Sequence, residues 1–295
     1  MEAISQWSRF VRFISEDGRE LCGEPVDSTI DVGLALASDE TVAVRVLNCS
    51  SPLEKGSFTG EIASIKKLLS PLSPEEVGTI RCIGLNFKDH AAELKAPIPS
   101  IPEVFMKPSQ CINNPLDPVF LPSSAGNAVD AEVELAVVIA KDCKNVSVGS
   151  AMDYVLGYTS ANDITARDVQ GQTSQWGYCK GYDGFCPLGP VLVSKELLPD
   201  PGNLVLRTEL DGQVLQDGAT EQMIFSVAEI ISHLSKDTTL PRGTVILTGT
   251  PSGIGHSYVP PRYLKAGSQL RIQISNGIGT LANTIVSESA TQARL

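Results

Sequence analysis

The stretch Asp130-Ala131-Glu132-Val133-Glu134-Leu135, continuing as Ala136-Val137-Val138-Ile139-Ala140-Lys141, constrains the fold more than any other. It opens with strict alternation of acidic and apolar residues and ends as a continuous apolar run, the pattern of a strand that enters a core. A strand puts residues i and i+2 on one face. Asp130, Glu132 and Glu134 therefore share one side, and Ala131, Val133 and Leu135 the other. Read alone, the acids are a solvated strand face. The apolar run behind them argues otherwise, because carboxylates at the edge of a core need a partner, and a hard divalent cation is a good one.

The rest of the chain reads as short strands separated by turns. RFVRFI (9–14), Arg19–Cys22, TVAVRVL (41–47) and TIRCIGLNF (79–87) are strand candidates. LVLRTEL before Asp211-Gly212 and QLRIQIS before Asn276-Gly277 read as the first arms of two β-hairpins. Helical segments are few. EIASIKKLL (61–69) and KDHAAELK (88–95) are short candidates, and Val227–Leu234 carries a capping box, Ser226 with Glu229, plus a Phe225–Ile230 staple. Gly and Pro together supply 44 of the 295 residues (25 and 19), which fits many turns rather than a helical bundle. The reading is a mainly β chain with short helices (α+β). The Ser70–Glu76 stretch, with Pro71 and Pro74, is the best linker. It divides a small β-rich N-terminal domain (1–75) from a core domain (76–295).

Composition excludes several classes of function. Lys and Arg number 23 against 34 Asp and Glu, a formal charge of −11 with no basic block, so no nucleic acid or anionic membrane is expected as partner. No apolar run approaches the ~20 residues of a membrane-spanning helix. The segment MEAISQWSRFVRFISEDG has early acids and no apolar h-region, so a cytoplasmic location is expected. The seven cysteines are widely spaced without a C-x-x-C, which argues against a disulfide framework or a zinc finger.

Four further groups carry chemistry. Asp163 closes the strand candidate YVLGYTSA and would stand at its end; it also reads as a helix N-cap paired with Arg167 at i+4. Joined to Glu132 and Glu134, it would complete an all-oxygen site suited to Mg²⁺, Mn²⁺ or Ca²⁺ and not to zinc. His90 and Glu93 share a helical face, where the carboxylate orients and activates the imidazole, although the same pair also serves as an ordinary ion pair. Lys180, in an aromatic, Gly-rich stretch, reads as a surface lysine or as an oxyanion stabiliser. The loop Thr248–Gly255 offers backbone N–H groups to a carboxylate or phosphate, yet it lacks both the P-loop ending and a dinucleotide fingerprint.

Taken in order, these blocks resemble the fumarylacetoacetate hydrolase family. The match runs through Ile83–Phe87 with His90 and Glu93, then Phe105–Pro108, Glu132–Leu135, Asn162-Asp163 and Ala166–Asp168. It continues with Lys180, Cys186–Pro190, Leu210–Gly212, Thr248–Pro251 and Gly277–Asn283, and covers about residues 80–286. The resemblance implies the family's mixed β-roll and a homodimer. It implies Glu132, Glu134 and Asp163 as ligands of Mg²⁺, with Mn²⁺ or Ca²⁺ as substitutes. By the same resemblance His90 and Glu93 activate water, Lys180 stabilises developing negative charge, Gln170, Thr250 and Arg167 bind substrate, and Arg167 and Asp168 brace the site rather than react. The implied reaction is hydrolysis of a C–C bond in an acylpyruvate-like 1,3-diketo acid. The alternative is decarboxylation, tautomerisation or isomerisation of oxaloacetate or a 2-hydroxy-dienedioate, with a small 2-oxo acid as substrate in each case. The Pro-rich stretch after Glu93 departs from what relatives keep as a lid, and the residues around His256 align with none of the blocks.

Overall fold

A computed structural model of the protein describes residues 7–288; positions 1–6, part of the segment read above for a leader, lie outside the described residues. The acidic-to-apolar stretch forms the strand Val133–Ile139, buried along its whole length. Its alternation is expressed directly in packing. Val133, Leu135, Val137 and Ile139 enter one hydrophobic cluster, while Ala136 and Val138 enter another on the opposite face. Each buried Val, Leu or Ile contributes about 1.5–3 kcal/mol. Glu132 and Glu134 have the parity of the second face and stand where the strand begins.

Val155–Asn162 and Val245–Leu247 flank this strand, both antiparallel to it. Thr79–Gly84 lies parallel beyond Val245–Leu247, and Glu103–Pro108 closes that edge. On the other side, Cys186–Ser194 pairs with Val155–Asn162, and Arg9–Ser15 pairs in turn with Cys186–Ser194, Phe10 opposite Leu192. The amino-terminal strands thereby extend the same sheet, which has eleven strands. A second, five-stranded sheet contains both expected hairpins. Its Leu206, Ile272, Ile274 and Leu281 share the cluster that receives Val133 and Leu135, so the two sheets pack across it. In the tighter hairpin Leu210 pairs with Gln213, and both loop residues, Asp211 and Gly212, have positive φ (51° and 79°) as a type I′ turn requires.

The helix expected over 61–69 is a strand instead, Phe58–Leu69, paired with Ala43–Leu47 and Arg9–Ser15. The register explains the helix-like spacing. Ile14 faces Lys67, but Ser15 faces Ile65, so Lys66 bulges out. The bulge turns Ile65 and Leu68, three residues apart, into one core cluster. The capped helix Val227–Leu234 forms as expected, with both reciprocal bonds of its Ser226–Glu229 box and with Val227, Ile230, Ile231 and Leu234 buried. The Ser70–Glu76 stretch holds a second box, Ser73 with Glu76, which caps one helical turn at Pro74–Val77.

Candidate active site

Antiparallel register assembles the site. Val133 lies opposite Asn162, so Glu132, just before one strand, meets Asp163, just after its neighbour. Two bonds lock the junction: Asp163 N donates to Glu132 O (2.9 Å), and Glu132 N donates to Asn162 Oδ1 (3.1 Å). Carboxylate oxygens of Glu132, Glu134 and Asp163 then lie within 4.8 Å of one another, all three residues buried. Asp130, expected on the same face, is not part of this group. It accepts from Arg167 (2.9 and 3.1 Å) and from the backbone N–H groups of Gly255 and His256.

Three cations surround the carboxylates. Lys180 is buried rather than on the surface, and its Nζ donates to Asp163 Oδ2 (2.6 Å), Thr165 Oγ1 (2.8 Å) and Glu132 Oε2 (3.0 Å). Arg167 bridges Asp130 and Glu132 and does not pair with Asp163, as an i, i+4 pair would have required. The third cation is Lys107, fully buried, whose Nζ donates to Asp163 Oδ1 (2.6 Å) and Phe185 O (2.8 Å). Burial works against the charge on Glu132, but Lys180 and Arg167 outweigh it and hold that carboxyl down to about 2. Glu134 is the opposite case. Burial and the Asp163 and Glu132 charges push its carboxyl well above the usual range, and among the described residues it accepts a bond only from Gly249 N (2.6 Å).

Glu134 supplies the test of a metal at this point. A buried carboxylate facing two others, with one backbone N–H as its partner, is costly unless a cation stands among them. The donors are all carboxylate oxygens, with no thiol or imidazole in the group. Such a set fits a hard divalent cation.

The Gly-rich loop has a clear employment. Its N–H groups hold the protein's own carboxylates: Gly249 binds Glu134, Ser252 binds Asp89, Gly253 binds Glu93 and Gly255 binds Asp130. The His90–Glu93 pair forms on the helix Lys88–Glu93, with Nδ1 2.8 Å from Glu93 Oε2. A carboxylate at Nδ1 places the proton there and leaves Nε2 as the basic nitrogen. Glu93 is held from behind by Gly253 N at 2.8 Å.

One cavity of ≈ 380 Å³ is lined by His90, Glu132, Glu134, Asp163, Arg167, Gln170, Lys180 and Thr250. The structure thus brings together the expected metal ligands, His90, Lys180, Arg167, Gln170 and Thr250, with Glu93 behind His90; Asp168, expected to brace the site, does not line the cavity and accepts from Asn127 N (2.8 Å) and Ala128 N (3.1 Å). Sequence reasoning gave no role to Lys107, Phe105, Trp176 or His256. The last three line the cavity, and Lys107 sits beneath Asp163. A lysine in a strand shows nothing of its burial, so Phe105–Pro108 carried no signal beyond its place in a motif. A larger groove of ≈ 1350 Å³, bordered by Lys67, Asp117 and Phe120, shares no residue with this cavity.

Comparison with known proteins shows what the chain as a whole is similar to. Residues 79–286 match a family model described as fumarylacetoacetate (FAA) hydrolase C-terminal. Caffeoylpyruvate hydrolase of Neonothopanus nambi is 39% identical over 291 residues, 96% of this chain and 95% of that one. Oxaloacetate tautomerase YisK of Bacillus subtilis is 42% identical over 234 residues, 79% of this chain and 77% of that one. The crystal structure of 2-hydroxyhepta-2,4-diene-1,7-dioate isomerase from Mycobacterium marinum superposes with a TM-score of 0.79 at 35% identity, covering 96% of this chain and 99% of that one.

Proposed function

The chain belongs to the fumarylacetoacetate hydrolase family, and on that premise we propose that it is a Mg²⁺-dependent enzyme that hydrolyses a C–C bond in an acylpyruvate-like 1,3-diketo acid. One observation carries the reading: the His90–Glu93 pair opens onto the same cavity as the three carboxylates. Glu132, Glu134 and Asp163 would hold Mg²⁺, with Mn²⁺ or Ca²⁺ as substitutes. When bound, the ion supplies Lewis-acid stabilisation of negative charge on the 2-oxo acid.

The side chains do the rest. His90 Nε2 takes a proton from water, and Glu93 stabilises the imidazolium that results. The hydroxide adds to the distal carbonyl carbon, the C–C bond breaks, and the pyruvate fragment takes up the proton at carbon. Lys180, fixed by three bonds, offers positive charge beside the departing fragment. Gln170, positioned by Arg167 Nη1 (3.0 Å), and Thr250, positioned by Gln216 Nε2 (2.7 Å), orient the substrate.

A second reading has the support of the tautomerase and isomerase relatives: decarboxylation, keto–enol tautomerisation or isomerisation of oxaloacetate or a 2-hydroxy-dienedioate at the same site. The test compares metal-stripped with Mg²⁺-supplemented protein on acetylpyruvate and oxaloacetate side by side. Mg²⁺-dependent cleavage of acetylpyruvate supports hydrolysis. Consumption of oxaloacetate alone selects the second reading, and equal activity without metal removes both.

Residues 76–295 would form the catalytic core, with 1–75 a small β-rich addition to it. We take the assembly to be a cytoplasmic homodimer, which light scattering and fractionation check. Among the described residues, no helix is long and apolar enough to cross a membrane.

A further inference from the structure

Beside the carboxylates and their cations the cavity is lined by an aromatic pair, Phe105 and Trp176, with Glu103 and His256 among its other polar residues. Phe105 stands next to the charged group, its ring centroid 5.1 Å from Lys180 Nζ. Trp176 packs edge-on to Phe105, with centroids 5.4 Å apart and planes at 74°. Leu85, Leu94 and Ile254 line the same space. Trp176 comes from an irregular segment, so its position depends on what it rests against. It rests on Gly84, where a Cβ would meet the indole at 2.5 Å. The next residue, Leu85, is held at φ 48°, a left-handed conformation that costs a non-glycine residue energy and turns the chain at the cavity wall. A cavity of ≈ 380 Å³ is within the range that engulfs drug-sized ligands. A substrate with only a methyl group beyond its distal carbonyl would leave the aromatic wall in contact with water.

We infer that Phe105 and Trp176, seated on Gly84, form a specificity wall that selects substrates whose acyl arm is a flat aromatic or conjugated group. The inference rests on the 2-oxo acid reading above. It goes further by naming the acyl arm and the residues that choose it. The 2-oxo acid end lies at the carboxylate group, and the arm extends past Phe105 to stack on or beside the indole.

The test uses binding as well as turnover, so that the wall and the reaction are judged apart. Phenylpyruvate and pyruvate share the 2-oxo acid but lack the second carbonyl that hydrolysis needs. Their affinities for Mg²⁺-loaded wild type, Trp176→Ala and Gly84→Ala are measured by calorimetry. Phenylpyruvate is expected to bind wild type about tenfold tighter than pyruvate, from aromatic contact and burial together. The gap should shrink several-fold in Trp176→Ala, while pyruvate affinity stays unchanged. Gly84→Ala should act likewise, because its methyl displaces the indole. In turnover, wild type should prefer benzoylpyruvate to acetylpyruvate, and both variants should lose that preference. Equal binding of the two acids by wild type overturns the inference, as does a preference that survives in both variants. An aromatic preference in binding, with no cleavage of either diketo acid, supports the wall and removes the hydrolytic reading. Cleavage of acetylpyruvate and benzoylpyruvate at equal rates, with equal binding, does the reverse.

Discussion

Lys107→Met removes a charge from beneath the site while nearly keeping the volume. Lys107 is fully buried, and its Nζ serves Asp163 Oδ1 (2.6 Å) and Phe185 O (2.8 Å). Burial opposes the ammonium, but Asp163 more than offsets it, so the lysine stays charged well above its ordinary range. Methionine would leave one oxygen of a buried carboxylate without a donor, while Phe185 O keeps the Ile164 N–H (3.1 Å). Breaking a buried pair from one side costs about 3–5 kcal/mol. Asp163 keeps Lys180 on its other oxygen, which places the loss near the lower bound, about 3 kcal/mol, against a total stability of about 5–15 kcal/mol. At about 2 °C per kcal/mol for a chain of this size, Tm should fall by about 6 °C. The charge count gives a second signature. Three carboxylates (Asp130, Glu132 and Asp163) pair with three cations in the wild type and two in the variant. The more negative cluster should hold a dication more tightly, so saturating Mg²⁺ should close part of the gap. Thermal melts followed by circular dichroism, with and without Mg²⁺, decide it. A Tm within about 1 °C of wild type would refute the burial argument. Equal stabilisation of both chains by Mg²⁺ would refute the placement of the ion.

Other substitutions separate the roles of the remaining groups. Glu132→Gln should lower Mg²⁺-dependent turnover by about 10³-fold, since an ion at this site is asked to supply several kcal/mol; turnover that persists in metal-free buffer would contradict it. His90→Ala should cost about 10²–10⁴-fold in hydrolysis and leave Mg²⁺ affinity by calorimetry unchanged. Retained decarboxylation in that variant would show that the imidazole serves only the attack by water. Gln216→Leu strips a buried node that accepts from Val133 N and Thr208 Oγ1 and donates to Thr250 Oγ1 and Pro251 O. It should cost at least about 2 kcal/mol and raise KM by freeing Thr250, and an unchanged melt would show that the node is dispensable.

Much of the site was legible because strand periodicity is a local property. The alternation at 130–135 put Glu132 and Glu134 on one face, and the apolar run behind them marked the strand as buried. The capping box at Ser226 and Glu229 and the Asp211-Gly212 turn were legible for the same reason: each is a short-range bond or a dihedral preference. The stretch 61–69 was misread because a bulge at Lys66 gives a strand the spacing of a helix. That bulge exists only against the partner strand Arg9–Ser15, which lies some fifty residues earlier in the chain.

By itself the chain's order of residues determined which groups are available: an all-oxygen donor set, an imidazole with a carboxylate one turn away, and an acidic charge balance. Only the tertiary structure decided how they are paired. It placed Arg167 on Asp130 and Glu132 rather than on Asp163, buried Lys107 and Lys180, and spent the Gly-rich loop's N–H groups on the protein's own acids. The reason is that a charge's partner in a low-dielectric interior is whatever lies within a few ångströms. That distance is set by register between strands far apart in the chain, which no local pattern encodes.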